Sequence, residues 1–492
     1  MALPRLSLAR VGGLSGTALY RSLATLSISP RLRYAFSILL VAWLTGCTTY
    51  VQRAQTVRQA NQAGDYEMAA TVSLAQAEGS TNDALIWKLE AASALRAQGK
   101  LAESAKVLEE VELLLRAEEE RPDFSVSGET LSAFTNDYSS AYRAKPQDRL
   151  YASTYQALNR LELGQGAAAR VALARLRFVQ ETFGNGELYV RAPTKGKADA
   201  KYDVEKASRD ERTRLTLGVV EEDVATLSRD GKYDDAFSHW LQGMFFLRLG
   251  ADAADREKAR KELLAATQLN PQCAAFAADL KECEGTVPAP RVVYVVMETG
   301  LAPEWYEQRV DIPVFVASSN LPYVSIALPA LRPSWNDYNL RLQLEGKAQV
   351  FSLASRTDAL IAKHFGAALP AVKARAFTSA AVKAAAAYAL NRAVAENARR
   401  NNDSSGNLLR VLTQVGTAVY TVGTTRADVR NWTGLPARFS LARWEVSAGG
   451  KLTVPGHPEA TLVLPAGRVL LVTLKSSAEN NPIQARCTIL VP

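Results

Sequence analysis

Three histidines, His239, His364 and His457, and four cysteines, Cys47, Cys273, Cys283 and Cys487, are the side chains best suited to metal binding or nucleophilic chemistry, and their spacing argues against both. No CxxC, no HExxH and no Cys–His cluster of zinc-ligand spacing occurs. No GxSxG surrounds a serine, and no GxxxxGK[ST] order is present to cradle a phosphate. Glu304 with Glu307, or Glu221 with Glu222 and Asp223, could act as general acid and base, but carboxylates so spaced are commonplace as solvated charge. His239 beside Trp240 in a helical stretch reads as structural. Arg430 with Trp432 could form an exposed binding feature, although a Trp anchoring the start of a strand core is the favoured reading. The expectation is therefore a binding protein and not an enzyme, with no metal and no cofactor.

Cys47 has a different setting. It ends the run Ala35–Cys47, AFSILLVAWLTGC, which follows Arg31 and Arg33. Basic residues, a short apolar core and a small-residue cleavage region are the parts of a signal peptide, and the run is too short to span a bilayer, which takes about 20 residues. Leu44-Thr45-Gly46-Cys47 resembles the lipobox of bacterial lipoproteins. That resemblance implies residues 1–46 as signal peptide and Cys47 as the lipidated N-terminus. The segment before Ala35 is long for an n-region, which suggests an over-extended start, although the next Met is Met68. The residue after Cys47 is Thr48 and not Asp, which for a Gram-negative lipoprotein implies the outer membrane, facing the periplasm.

Removal of residues 1–46 takes away five Arg and no acid, so the formal charge falls from +8 to about +3. Without a basic run or interleaved aromatics, a nucleic-acid partner is not expected, and membrane attachment rests on lipid. In an oxidising periplasm Cys273 and Cys283 could close a ten-residue loop by a disulfide, or they are two small buried residues. Cys487 lies in an apolar strand-like run and reads as core.

The elements that must position these residues divide at Gly285–Pro290. Residues 47–285 are helical in pattern. Gly64, Gly99, Gly164 and Gly231 open similar phrases where helices should turn, at separations of 35, 65 and 67 residues. That spacing resembles a tetratricopeptide period taken once and then twice in double steps. Leu101, Ala105, Leu108, Val111 and Leu115 form one apolar stripe, and Phe237, Trp240, Leu241, Met244 and Phe245 the heaviest. The pattern breaks at Arg121–Lys145 and at Phe183–Asp203, the second expected as a mobile excursion. Strands are expected over 290–345 and 430–492, with a helical insertion over 346–425 that contains helices at Ala371–Arg400 and Asn407–Val422. The expected fold is thus α+β: a tetratricopeptide-like helical array followed by an antiparallel sandwich-like β domain with the helical insertion.

The lipobox, the degenerate repeats, the segment Arg291–Val314, the alanine-rich helix and Arg430-Asn431-Trp432-Thr433-Gly434-Leu435-Pro436 together resemble a family of uncharacterised bacterial surface lipoproteins, often encoded beside lipoproteins related to penicillin-binding-protein activators. The resemblance implies an envelope setting and supplies no catalytic residues. The expected function is a lipid-anchored periplasmic scaffold that holds an unidentified protein partner through its helical repeats, in envelope assembly or peptidoglycan synthesis. An envelope enzyme acting on glycan or peptide, and a structural subunit of a surface assembly, are the alternatives.

Overall fold

Left-handed glycines close the helical hairpins at three of the four expected turns. Gly64, Gly99 and Gly164 have φ of 75°, 79° and 70°, a conformation that costs glycine least. Gly64 joins α1 (Tyr50–Ala63) to α2 (Tyr66–Gly79), Gly99 joins α3 (Ala84–Ala97) to α4 (Leu101–Glu119), and Gly164 joins α6 (Pro146–Glu162) to α7 (Gly166–Phe183). At Gly99 the backbone N–H donates to Arg96 O at 2.9 Å and that of Lys100 to Leu95 O at 3.0 Å, the paired bonds of a Schellman ending. A short helix, α5 (Val126–Thr135), occupies the first break in the pattern.

The fourth glycine behaves differently. Gly231 has no positive φ; it connects α8 (Glu211–Ser228) to α9 (Ala236–Leu249), and a Cβ there would overlap the carbonyl oxygen of Ala359. Its role is close approach, not a hairpin turn. The hairpin falls one helix later, where Asp252 caps α10 (Ala253–Leu269) by accepting from Asp255 N at 2.8 Å. Helix α11 (Ala274–Glu284) completes the helical half.

The computed structural model describes residues 50–122, 125–135, 138–189, 211–285, 289, 291–312, 324–333, 340–401, 425–446 and 449–492. Residues 54–492 form one compact unit. Cys47, most of the excursion expected over 183–203, and the helix expected over 407–422 lie outside the described residues.

The chain is α+β. A five-stranded sheet has the order β11 (Gln484–Val491), β10 (Val469–Ser476), β1 (Val292–Thr299), β7 (Arg438–Glu445), β6 (Ser352–Arg356). Strand β1, from the first strand group, therefore lies between β10 and β7 of the second. The expectation of an antiparallel arrangement is corrected at its centre, because β1 and β10 run parallel, with Val292 opposite Val469 and Thr299 opposite Ser476. Both strands are buried along their whole length. Their near-continuous apolar runs suit parallel strands covered on both faces.

A second sheet of four strands, β5 (Lys347–Gln349), β4 (Leu342–Leu344), β8 (Lys451–Val454) and β9 (His457–Val463), covers one face of the central sheet. Val293, Val295 and Met297 from β1 and Leu470, Val472 and Leu474 from β10 share one apolar core with Leu342, Leu452 and Ala460. A separate hairpin, β2 (Glu304–Ile312) with β3 (Val324–Arg332), lies against the long helix α12 (Thr357–Asn401) and α8. The segment 346–425 thus opens with two short strands before its helix.

The other face of the central sheet meets α3, α6 and α9, the first helices of three hairpins. Phe439 stacks on Phe237 of α9 with centroids 4.3 Å apart and on Tyr151 of α6 at 5.9 Å. Tyr294 meets Trp240 edge-on at 5.4 Å, and Trp432 meets Tyr155 edge-on at 5.8 Å. Helices α3, α6 and α9 are accordingly buried nearly all round. The face that α3, α6 and α9 turn to the sheet is filled by this chain's own strands.

Candidate functional site

The joint between helices and sheet is ionic at its centre. Alternation along β1 turns Val293, Val295 and Met297 to the apolar core and Glu298 to the helices. There Glu298 Oε2 accepts from Tyr155 at 2.7 Å and from Lys475 Nζ at 3.1 Å. Arg96 of α3 reaches over from the array, donating to Asn159 at 2.7 Å and to Glu162 at 2.5 Å, with its Nε 3.7 Å from Glu298. Glu162 also accepts from Arg486 of β11 at 3.0 Å. Burial alone would raise Glu162 and Glu298, but the cations beside them hold both below the ordinary carboxylate range. Glu162 and Glu298 with Arg96, Lys475 and Arg486 form a structural seam, since both of these carboxylates are held ionised by buried or half-buried cations.

The segment carrying Arg430 and Trp432 closes the same seam. Arg430 and Trp432 are 0% and 1% exposed, so the exposed binding feature is corrected. The Arg430 guanidinium grips Asp428 through two bonds of 2.8 and 2.6 Å and donates to Asp83 at 2.7 Å. Trp432 Nε1 donates to Ser93 at 3.0 Å, so the Trp is an anchor, though onto helices α3 and α6 instead of a strand core. Glu90 receives the N–H of Thr433 at 2.5 Å, its hydroxyl at 2.7 Å, and the N–H of Gly434 at 3.0 Å. Burial nevertheless pushes this carboxyl up to about 7.

The remaining sequence candidates do not converge. Glu304 pairs with Arg332 across the β2–β3 hairpin at 2.9 Å, while Glu307 pairs with Arg309 and accepts from Ala427 N. Glu221 pairs with Lys373, and Asp223 accepts from Tyr306 at 3.4 Å. His239 bridges Asp234 at 2.8 Å and Glu262 at 2.7 Å, which raises it to about 9 although burial opposes its charge. His364 lies among Tyr189, Tyr233 and Phe134's neighbours, and burial lowers it to about 4. His457 contacts Glu459 near the surface. Among the described residues no group of three or more His, Cys, Asp or Glu side chains could hold a metal.

The disulfide is corrected too. Cys273 and Cys283 are free and buried at opposite ends of α11. Ten residues of helix put them about 15 Å apart, well beyond the reach of a disulfide. Cys283 Sγ donates to Arg256 O at 3.6 Å, and burial raises both thiols, Cys273 to about 11. Cys487 is half-buried beside the apolar core.

Two open clefts among the described residues exceed 400 Å³. One, of about 430 Å³, runs between α4 and α7 over α6 on the side away from the sheet. Leu113 and Val171 line it, 68% and 66% exposed, and Gln156 Oε1 is buried there without a hydrogen-bond partner. Glu112 pairs with Arg175 from α4 to α7 across it, and Glu109 pairs with Arg160 of α6 beside it. The sequence signal was present, because Leu113 falls off the stripe formed by Leu108, Val111 and Leu115. The other cleft, of about 490 Å³, lies beside α12. No helix among the described residues is long and apolar enough to cross a membrane. No family model, curated protein or solved structure matches the chain.

Proposed function

We propose that this chain is a lipid-anchored interaction protein of the bacterial envelope that grips an apolar segment of a protein partner in the groove between α4 and α7. One observation carries the reading: Leu113 and Val171 stand exposed in a groove of about 430 Å³ between two helices. Apolar side chains gathered in a groove mark interaction sites. The hairpins α1–α2, α3–α4, α6–α7 and α9–α10 are read as a degenerate tetratricopeptide-like array. Its inner face is filled by a sandwich-like β region, which leaves the outer groove for the partner. Diacylation at Cys47 supplies the anchor, and Thr48 favours the outer membrane, facing the periplasm.

A photoreactive side chain at position 113, with a control at the exposed Val219 of α8, tests the reading in cells. One discrete protein adduct from position 113, lost on Val171→Asp, is expected. Identical adducts from both positions, or none from 113, would overturn it. Independently, a Cys47→Ser chain that still incorporates palmitate would remove the anchor from the account.

A further inference from the structure

His364 of α12 is buried with both ring nitrogens engaged, and its two partners fix where its proton sits. Nε2 lies 2.8 Å from the carbonyl oxygen of Tyr233, which can only accept, so Nε2 carries the proton. Nδ1 is then the acceptor, and it takes the phenol proton of Tyr189 at 2.6 Å. Tyr189 ends the short 3₁₀ turn Gly186–Tyr189 that follows α7. Its ring stacks on Tyr233 with centroids 6.0 Å apart and meets the imidazole edge-on at 5.8 Å. Gly186 lies so close to the same Tyr233 that a Cβ would overlap the ring. The turn is thus strapped to α12 by one hydrogen bond and one shared aromatic ring.

A second proton on this ring would be a buried charge without a counter-ion. Asp234, beside Tyr233, is the acid that acts on the imidazole, and its carboxylate is already bound to His239 at 2.8 Å and to Gln180 at 2.8 Å. Lys363, the neighbour of His364 on α12, sets its ammonium 5.5 Å over the Tyr233 ring and adds a like charge. Pro146 and Leu150 of α6 and Val179 and Phe183 of α7 bring no charge, nor does Phe134 of α5 against Tyr189 or Val224 of α8 against Gly366. The cavity beside the ring is about 10 Å³, room for one water at most. Among the described residues the Tyr189 phenol has no second hydrogen-bond partner, so turning its oxygen to accept from Nδ1 would strand its own proton.

We propose that Tyr189 and His364 form an acid-released clasp, in which a solvent proton taken up at Nδ1 breaks the phenol's bond and frees the turn Gly186–Tyr189 from α12 while the helices stay closed. Burial holds the imidazole down to about 4, so the clasp is shut at neutral pH and opens in acid. It is independent of the α4–α7 groove and of the lipid anchor.

Hydrogen exchange of the full chain, read by mass spectrometry with each rate divided by its intrinsic rate at that pH, tests the clasp at the Leu188 amide, which donates to Asn185 O at 3.3 Å. Between about pH 6 and about pH 3.5 its protection should fall about tenfold, while the amides of α7 keep theirs. His364→Gln offers Tyr233 an N–H and Tyr189 an oxygen but takes up no proton, so its protection should not change with pH. Tyr189→Phe keeps the ring and loses the bond, so its turn should be weakly protected at both pH values. Equal protection of the wild-type amide at both pH values, a fall that persists in His364→Gln, or joint loss of protection in α7 would overturn the clasp.

Discussion

The phenol of Tyr155 donates to Glu298 Oε2 at 2.7 Å, joining the central helix of the array to the central strand of the sheet across 143 residues of sequence. Glu298 also carries the charge that balances Lys475 and, at longer range, Arg96. Removing the acid and removing the phenol should therefore differ sharply. Glu298→Ala leaves buried cations uncompensated and should cost about 3–5 kcal/mol, whereas Tyr155→Phe deletes one neutral donor and should cost about 1 kcal/mol. Urea unfolding of both variants checks the ratio, and equal losses would contradict a charge-centred seam.

Glu90 gives the joint a pH dependence. Its folded carboxyl sits at about 7 against an ordinary 4.5, so the folded state holds the proton more tightly. The resulting stability is fully present below pH 4.5 and is lost as pH rises through about 7. Glu90→Gln cannot take up the proton and should flatten the decline of unfolding free energy between those values. An unchanged slope would mean that the carboxyl titrates normally.

His239 and His364 should act in opposite directions. His239, raised to about 9, contributes stability present below pH 6.5 and lost as pH rises through about 9. His364, lowered to about 4, contributes stability present above pH 6.5 and lost as pH falls through about 4. His239→Gln should level the alkaline side of the stability profile and His364→Gln the acid side. Chemical shifts of the two imidazoles give the same pKa values directly, and values near 6.5 for both would refute the assignment.

Cys273 and Cys283 should behave as unlinked thiols. Denatured but unreduced protein is expected to alkylate at both, and reductant should leave the thermal midpoint unchanged. A mass shift of the two-thiol kind appearing only after reduction would restore the disulfide and require α11 to unwind.

Much of the scaffold was legible in the sequence, for local reasons. Glycine at positions 64, 99 and 164 meets a requirement of the helix ending itself, and the stripe Leu101–Leu115 states which side of α4 is buried. The α-to-β switch near residue 285 follows from composition. The parallel pair could have been suspected, because Val292–Met297 and Val469–Val472 are continuously apolar instead of alternating. What stayed hidden depends on partners far apart in sequence. Trp432 finds Ser93 339 residues away, and Gly231 is required by Ala359. The cleft beside α12 depends on distance as well, because β3, α5 and residues 425–428 line it together with the helix only in the folded chain.

The central claim is that the sheet is the occupant of the helical array's inner face, so that both halves open together. Native-state hydrogen exchange along a urea series measures this directly, comparing amides of α6 with those of β1 and β10. The account predicts that all three merge into one opening with a common free energy and a common urea dependence. Strand amides exchanging through a separate, lower-energy opening while α6 stays protected would contradict it, and would free the inner face for a partner.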